Sequence, residues 1–189
     1  MSRGLRVTTR SAEETRVVGA ALAPTLLPSD VISLSGDLGA GKTVFVQGLG
    51  AALGVRQRIT SPSFTLVHEY AGRYQILHLD VYRLESFQEV LDLGFEELLD
   101  PGAILVVEWG EAVTPLLPER YLQVELRASG GGDSERQITF LPHGTEWIVK
   151  MQEMRATAEA LLNALSADGS SVPRFVDWDT SGARDHWAP

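Results

Sequence analysis

The 189 residues are 44% hydrophobic and 22% charged, proportions typical of a globular chain that buries one main core. Acidic residues outnumber basic ones by 25 to 16, and the net charge of -9 argues against direct, unassisted binding to nucleic acid or to anionic lipid. The sequence contains no cysteine, which excludes a disulfide framework, a thiolate metal site and a cysteine nucleophile.

The sequence shows no membrane or export segment. No apolar run approaches the roughly 18 residues that cross a bilayer, and residues 1–10 lack the apolar core of a signal peptide. We therefore expect a cytoplasmic protein without a membrane partner.

The first third of the chain predicts a helix, a strand and a second helix. Ser11 with Glu14 fits a capping box, and apolar residues follow it at helical spacing. Val31–Ser35 is a short apolar run of strand length that enters a glycine-rich turn. After the turn, Phe45 and Leu49 begin a second helical repeat, so the predicted order is strand, loop and helix.

The middle of the chain predicts two strands and a short helix. Residues 64–70 and 74–80 flank a short glycine-containing link, which suggests a hairpin. Ser86 with Glu89 repeats the capping-box pattern, and Gly94 is a suitable end for the short helix that follows.

Further strands complete the predicted sheet. Residues 104–107 form an apolar run typical of a buried strand, whereas residues 121–127 and 136–141 alternate around a glycine run, as an edge hairpin does. Buried and alternating strands together indicate a mixed sheet, and their mixture with helices indicates an α/β fold.

The C-terminal part of the chain has a different composition. Residues 151–165 are rich in Ala, Leu, Met and Glu and predict a closing helix. Residues 167–189 carry glycine, serine, proline and aspartate without a sustained period, so we expect a mostly disordered tail. The predicted organisation is a main domain at 1–150, a helical extension at 151–166 and a tail at 167–189.

One segment matches the P-loop spacing G-x-x-x-x-G-K-[ST] completely and lies between the predicted strand and helix. Its residues are Gly36, Asp37, Leu38, Gly39, Ala40, Gly41, Lys42 and Thr43. In this motif the backbone N–H groups surround phosphate oxygens, the lysine reaches the β and γ phosphates, and the hydroxyl is a ligand for Mg²⁺. The alternative is a glycine-rich turn that carries Lys-Thr by chance.

Two carboxylates end apolar runs and are candidates to serve a nucleotide-bound metal. Asp80 closes the run at 76–80, and Glu108 closes the run at 104–108. P-loop enzymes use a carboxylate at such a strand end to hold Mg²⁺ or to position the attacking water. Either residue also fits the simpler interpretation of a polar strand terminus.

Several other residues have both a functional and a structural interpretation. Hydroxyl residues at 60–65 suit a segment that senses the γ-phosphate, and equally suit a solvated loop. His78 suits contact with a substrate, although a half-buried structural histidine is the simpler interpretation. Arg83 either stabilises developing charge or pairs with a surface acid. Trp109 either covers the site or packs at a strand end.

The order of four segments, GDLGAGKT, ITSPSFTL, HLDVYRL and VVEWGE, resembles the TsaE family, formerly called YjeE, over residues 5–149. The resemblance implies a P-loop three-layer α/β sandwich with a mixed central sheet. It also implies a slow ATPase that works with the TsaD and TsaB proteins in making N6-threonylcarbamoyladenosine at position 37 of tRNA. In that role the chain contacts tRNA only through the complex, and its ATPase cycle supports repeated turnover by TsaD–TsaB.

Carried over by motif, the resemblance assigns roles to individual residues. Residues 37–43 enclose the phosphates, Thr43 and Glu108 bind Mg²⁺, and Lys42 and Asp80 are the catalytic candidates. Outside the motifs, our candidates for contacts to the adenine of a bound nucleotide are two further residues, Ser11 and Arg136. No role carries over to the chain beyond residue 150.

Two alternative functions remain open from the sequence. A P-loop with an adjacent aspartate also serves a small-molecule kinase, although no arginine-rich lid segment is visible. A binding module with a degenerate nucleotide site is the second alternative, and the intact Lys42 and Thr43 argue against it.

Overall fold

The computed structural model describes residues 3–84, 89, 94–99, 102–130, 134–166 and 175–179. In these ranges it has one eight-stranded mixed sheet with helices on both faces, which confirms the expected α/β sandwich. The strand order is β3-β4-β5-β2-β6-β7-β1-β8. The strands are β1 (Arg3–Thr9), β2 (Val31–Ser35), β3 (Val67–Ala71), β4 (Gln75–Asp80), β5 (Ala103–Glu108), β6 (Tyr121–Ala128), β7 (Arg136–His143) and β8 (Val176–Asp179).

The centre of the sheet is parallel and its margins are antiparallel. Strands β4, β5, β2 and β6 run in one direction, while β3 at one margin and β7, β1 and β8 at the other pair antiparallel. Every residue of β2 and β5 is buried, as expected for parallel strands covered on both faces. The carboxyl ends of the four parallel strands therefore meet at one edge.

Helices cover the two faces unequally. In the described part of the chain the α-helices are α1 (Ala12–Leu22), α2 (Lys42–Ala52), α3 (Phe95–Leu98) and α4 (Thr145–Leu165), and 3₁₀ helices span Ala23–Thr25 and Gly110–Leu116. Helices α1, α2 and α4 pack on one face, where they share the larger core cluster. Helix α3 and the second 3₁₀ helix cover the other face through a smaller cluster.

Strand alternation decides which face the polar strand residues occupy. Ile76 and Ile104 belong to the core beneath α1, α2 and α4. Because side chains two residues apart share a face, His78, Asp80 and Glu108 also point to the α2 side. All three are buried.

Two glycines allow α1 and α2 to pack in close contact. A Cβ on Gly19 would lie 2.2 Å from the carbonyl oxygen of Phe45, and a Cβ on Gly48 would lie 1.9 Å from that of Arg16. Both distances are shorter than any van der Waals contact, so the crossing requires glycine. This packing brings the start of α1 beside the glycine-rich loop.

Most of the local predictions are confirmed. Helix α1 begins after Ser11, whose Oγ accepts a hydrogen bond from the Glu14 N–H at 3.1 Å, as a capping box requires. Strand β2 has the predicted bounds, and β3 pairs with β4 as a hairpin, although β3 begins at Val67 rather than at residue 64. The predicted hairpin is observed as β6 and β7, but it does not lie at the edge of the sheet, because β6 also pairs with β2 and β7 with β1.

The structure differs from the sequence-based expectations near the two termini. Strand β1 was not predicted, and β8 lies within the segment expected to be disordered and pairs with β1. Helix α4 starts at Thr145, so the proposed boundary at residue 150 falls inside a helix. Residues 167–174 and 180–189 lie outside the described residues, as does most of the helix predicted after Ser86.

In the ranges that the structure describes, no helix is both long enough and apolar enough to cross a membrane.

Candidate phosphate-binding site

The loop between β2 and α2 has the backbone conformation of a phosphate-binding loop. Gly36, Gly39 and Gly41 have positive φ angles of 125°, 78° and 105°. A Cβ on Gly36 would also lie 2.0 Å from the carbonyl oxygen of Leu126 on β6, so this position excludes every other residue. The loop leads directly into the N-terminus of α2, where free N–H groups and the helix dipole favour an anion.

The Lys42 side chain lies back over its own loop. Its Nζ donates hydrogen bonds to the carbonyl oxygens of Gly36, at 2.5 Å, and Asp37, at 3.0 Å. The ammonium group also lies 3.7 Å from the centroid of the Trp109 ring. Trp109 reaches this position with a φ of 63°, a left-handed conformation that bulky residues rarely adopt. The tryptophan therefore covers the lysine that the motif assigns to the phosphates.

Lys42 is only 5% exposed, and burial lowers its pKa. Nearby carboxylates act in the opposite direction, in decreasing order Glu108, Glu111, Asp80 and Asp37. Burial raises the pKa of Glu111, and one of its carboxylate oxygens is buried without a hydrogen-bond partner. Sequence reasoning assigned no role to Glu111, although it belongs to the VVEWGE segment.

Thr43, Glu108 and His78 form a hydrogen-bonded cluster at the start of α2. The Thr43 hydroxyl donates to Oε1 of Glu108 at 2.8 Å, and Nε2 of His78 lies 2.9 Å from the same oxygen. The two residues predicted to serve Mg²⁺ are thus already in contact. The parallel pairing explains this, because Leu34, near the end of β2, lies opposite Glu108 in β5.

Asp80 holds the hydroxyl-rich segment that follows α2. Its Oδ2 accepts hydrogen bonds from the hydroxyls of Ser61, at 2.6 Å, and Ser63, at 2.7 Å. Its Oδ1 accepts from the backbone N–H of Tyr82 at 3.0 Å. Sequence reasoning identified the aspartate and the hydroxyl residues separately, whereas the structure joins them. We call residues 60–65 the switch-like segment.

The oxygen atoms at this site are suited to magnesium. Mg²⁺ prefers oxygen donors and is usually held by one or two protein groups together with substrate phosphates and waters. The Thr43 hydroxyl and the Glu108 carboxylate, beside the loop that faces phosphate, fit this requirement. The described residues contain no cluster of three or more His, Asp or Glu side chains that could hold a metal without such a ligand.

Of the two candidates outside the motifs, Arg136 contacts the loop, whereas Ser11 caps α1. Nε of Arg136 donates to the carbonyl oxygen of Ala40 at 3.2 Å, and Nη2 donates to that of Gly39 at 3.4 Å. Arg136 therefore supports the phosphate loop from β7. Ser11 caps α1 with its hydroxyl, and Thr9, two residues earlier, lies opposite Arg136 in the sheet.

Aromatic side chains border the open side of the site. Tyr82 stacks at a tilt against Trp109, with ring centroids 4.8 Å apart. The guanidinium of Arg83 lies 4.2 Å from the ring centroid of Phe64. Phe64 is 86% exposed.

The fold and this loop define a P-loop α/β protein. A family model described as "Threonylcarbamoyl adenosine biosynthesis protein TsaE" matches residues 9–138, more than half of the chain. The chain belongs to the TsaE family.

Individual relatives and a solved structure agree with this assignment. A tRNA threonylcarbamoyladenosine biosynthesis protein TsaE of Treponema pallidum is 41% identical over 131 residues, covering 69% of this chain and 97% of the relative. A protein of the same name from Bacillus subtilis is 37% identical over 151 residues, covering 79% and 93%. The crystal structure of Bacillus subtilis YdiB superposes with a TM-score of 0.72 at 33% identity, covering 82% of this chain and 97% of that one.

The burial of Lys42 predicts that its charge opposes folding. Because its pKa is lowered, the folded chain binds the proton less tightly than the unfolded chain does. The cost is present below the lowered pKa and diminishes as pH rises past it towards the ordinary lysine value. Lys42→Met should therefore melt at the same or a higher temperature than the wild type at neutral pH, measured by circular dichroism.

Lys150→Met is the matched control for this prediction. Lys150 on α4 donates to Oδ1 of Asp30 at 2.6 Å, and both side chains are largely buried. Removing this lysine leaves a carboxylate without its ion-pair partner, so the control should melt at a lower temperature. A similar loss of stability in both variants would contradict the assigned cost of burying Lys42.

Proposed function

We propose that this chain is the ATP-binding, slowly hydrolysing component of the machinery that makes N6-threonylcarbamoyladenosine at position 37 of tRNA in the cytoplasm. Its ATPase cycle supports repeated turnover by a TsaD–TsaB complex. The observation that carries the proposal is the contact of Thr43 with Glu108 beside a complete phosphate loop. Membership of the TsaE family supports the pathway.

The phosphate loop supplies binding and charge. Backbone N–H groups of residues 36–43 receive the phosphate oxygens, and Lys42 exchanges the carbonyl oxygens of Gly36 and Asp37 for the β and γ phosphates. Thr43 and Glu108 hold Mg²⁺ with the nucleotide. When bound, this ion neutralises the negative charge that develops on the phosphates.

Asp80 positions the attacking water and links it to the switch-like segment. The carboxylate is buried and accepts hydrogen bonds from two hydroxyls and one backbone N–H. An ionised carboxylate only accepts hydrogen bonds, so it can orient a water molecule towards the γ-phosphate. Ser61 and Ser63, in the switch-like segment, both donate hydrogen bonds to this carboxylate.

The partner complex covers the open side of the site. Leu38 on the phosphate loop, Phe64 on the switch-like segment and Tyr82 beyond β4 are 79%, 86% and 53% exposed. Exposed apolar side chains gathered around a functional site are typical of a protein interface. Because the net charge of -9 disfavours direct contact with tRNA, we assign this surface to TsaD–TsaB, with tRNA bound through the complex.

Reconstituted tRNA threonylcarbamoylation tests the proposal. We expect product to stall after about one turnover of TsaD–TsaB without this chain, and to accumulate over many turnovers with it. Lys42→Ala should fail to restore turnover, because no other described cation contacts the loop carbonyls of Gly36 and Asp37. Equal turnover with and without the chain would refute the pathway. A screen of small metabolites for phosphate acceptance would then test the kinase alternative.

Substitutions of the two carboxylates should affect different measurements, one the affinity for ATP and the other the rate of hydrolysis. Glu108→Ala should weaken Mg²⁺-dependent ATP binding, because Glu108 contacts Thr43. Asp80→Ala should leave ATP affinity nearly unchanged and lower the hydrolysis rate by about 10²-fold or more, the range of a positioned acid–base group. Glu69→Ala, on the exposed margin of β3, is the control for removing an acid. Equal loss of ATP affinity in Asp80→Ala and Glu108→Ala would contradict this division.

The proposed partner surface predicts a variant that binds nucleotide but responds poorly to its partners. Phe64→Ser should keep the ATP affinity of the wild type, while TsaD–TsaB stimulates its hydrolysis less. Leu161→Ser, at an exposed apolar position on α4, is the control and should be stimulated normally. Normal stimulation of Phe64→Ser, measured as phosphate release against partner concentration, would remove Phe64 from the interface.

A further inference from the structure

One carboxylate oxygen of Glu108 makes both of that residue's side-chain hydrogen bonds within the described part of the chain. Oε1 accepts from the Thr43 hydroxyl at 2.8 Å and contacts Nε2 of His78 at 2.9 Å. The second oxygen, Oε2, makes neither contact. The carboxylate is therefore held at one oxygen, and the other oxygen is available to a ligand.

His78 is built to hold this oxygen. Its side chain is 0% exposed, and that of Glu108 is 4% exposed. A carboxylate is an acceptor, so the contact requires the proton on Nε2 of the histidine. Nδ1 of His78 is buried without a hydrogen-bond partner. Glu108 is thus the polar group to which this ring is anchored, which is unusual because a purely structural buried histidine normally has both nitrogens satisfied.

The surroundings of His78 fix the orientation of its ring. The strand register places His78 opposite Val106, which lies two residues before Glu108 on the same face of β5. The Tyr70 ring packs against the imidazole with centroids 6.3 Å apart. The Tyr70 hydroxyl is itself held by the backbone of Thr60 and by Nδ1 of His68, at 3.3 and 3.1 Å. Backbone register and packing therefore hold Nε2 of His78 in one position, beside Oε1 of Glu108.

We propose that His78 is a positioning residue that fixes Oε1 of Glu108 and so presents Oε2 to the magnesium of a bound nucleotide. The proposal rests on the proposed function, which assigns Glu108 to Mg²⁺. Side chains that hydrogen-bond to a metal ligand fix its orientation, and their removal typically lowers metal affinity by about 10- to 100-fold. His78 acts through Glu108 and contacts neither nucleotide nor metal.

A histidine that only fills space would behave differently. If His78 contributes volume alone, an apolar residue of similar size preserves metal binding and a polar residue of similar length offers no advantage. If the hydrogen bond matters, the polar residue preserves metal binding and the apolar residue does not. Gln places its side-chain N–H₂ group close to the position of Nε2, whereas Leu has no donor and Asn is one methylene shorter than Gln.

Calorimetric titration with ADP, with Mg²⁺ and with a chelator in its place, tests the proposal without requiring turnover. The variants are His78→Leu, His78→Gln and His78→Asn, and the matched control is His143→Leu, which removes a histidine that lies opposite Tyr121 at the start of β6, away from the site. We expect His78→Leu and His78→Asn to need about 10- to 100-fold more Mg²⁺ to tighten ADP binding. Affinity measured with the chelator should not change. His78→Gln and His143→Leu should stay close to the wild type.

The possible outcomes distinguish this proposal from the function on which it rests. Wild-type ADP affinity that is the same with Mg²⁺ and with the chelator would refute the metal assignment of Glu108. Mg²⁺ dependence that is present in the wild type and unchanged in His78→Leu would refute only the role of His78. If His78→Leu does not fold, as judged by circular dichroism, the Gln and Asn variants decide. Equal Mg²⁺ requirements in those two variants would overturn the proposal.

Discussion

The parallel pairing of β2 with β5, and of β5 with β4, is the constraint on which the site depends. In this register Leu34 and Asp80 both lie opposite Glu108, so the phosphate loop and the two carboxylates leave the sheet at the same edge. Strands about 4.8 Å apart leave no room for a large displacement between them. A slip of one residue in β5 would turn Glu108 to the opposite face, away from α2.

This arrangement concentrates ionisable groups in a buried region, and each group is stabilised by a specific contact. Lys42 is held by loop carbonyl groups and the Trp109 ring, Glu108 by Thr43 and His78, and Asp80 by hydroxyls of the switch-like segment. Burying a charge is costly unless such partners are present. These contacts offset part of the cost of burying the charges, and the remaining cost is visible in the lowered pKa of Lys42.

The parts of the structure that the sequence predicts are those with a local cause. Strand β2, the glycine loop and α2 have recognisable patterns, and the strand-end positions of Asp80 and Glu108 follow from apolar runs. Strands β1 and β8 were missed because their pairing is a tertiary interaction between mostly polar segments. The contact of His78 with Glu108 depends on the register of two strands, which no local pattern specifies. Arg136 lies about 96 residues from the loop that it supports, so its role also required the fold.

The switch-like segment is attached to both carboxylates by short paths. Ser61 and Ser63 donate directly to Asp80, while the Thr60 backbone contacts the Tyr70 hydroxyl, whose ring packs against His78 and thereby reaches Glu108. The exposed Phe64 lies within the same segment. A partner that contacts Phe64 would therefore change two sets of contacts together. These are the hydrogen bonds from the segment to Asp80, and the packing of Tyr70 against His78, which contacts Glu108. Under the proposed function, the positioning of water by Asp80 and the binding of metal by Glu108 would respond jointly to whatever orders this segment.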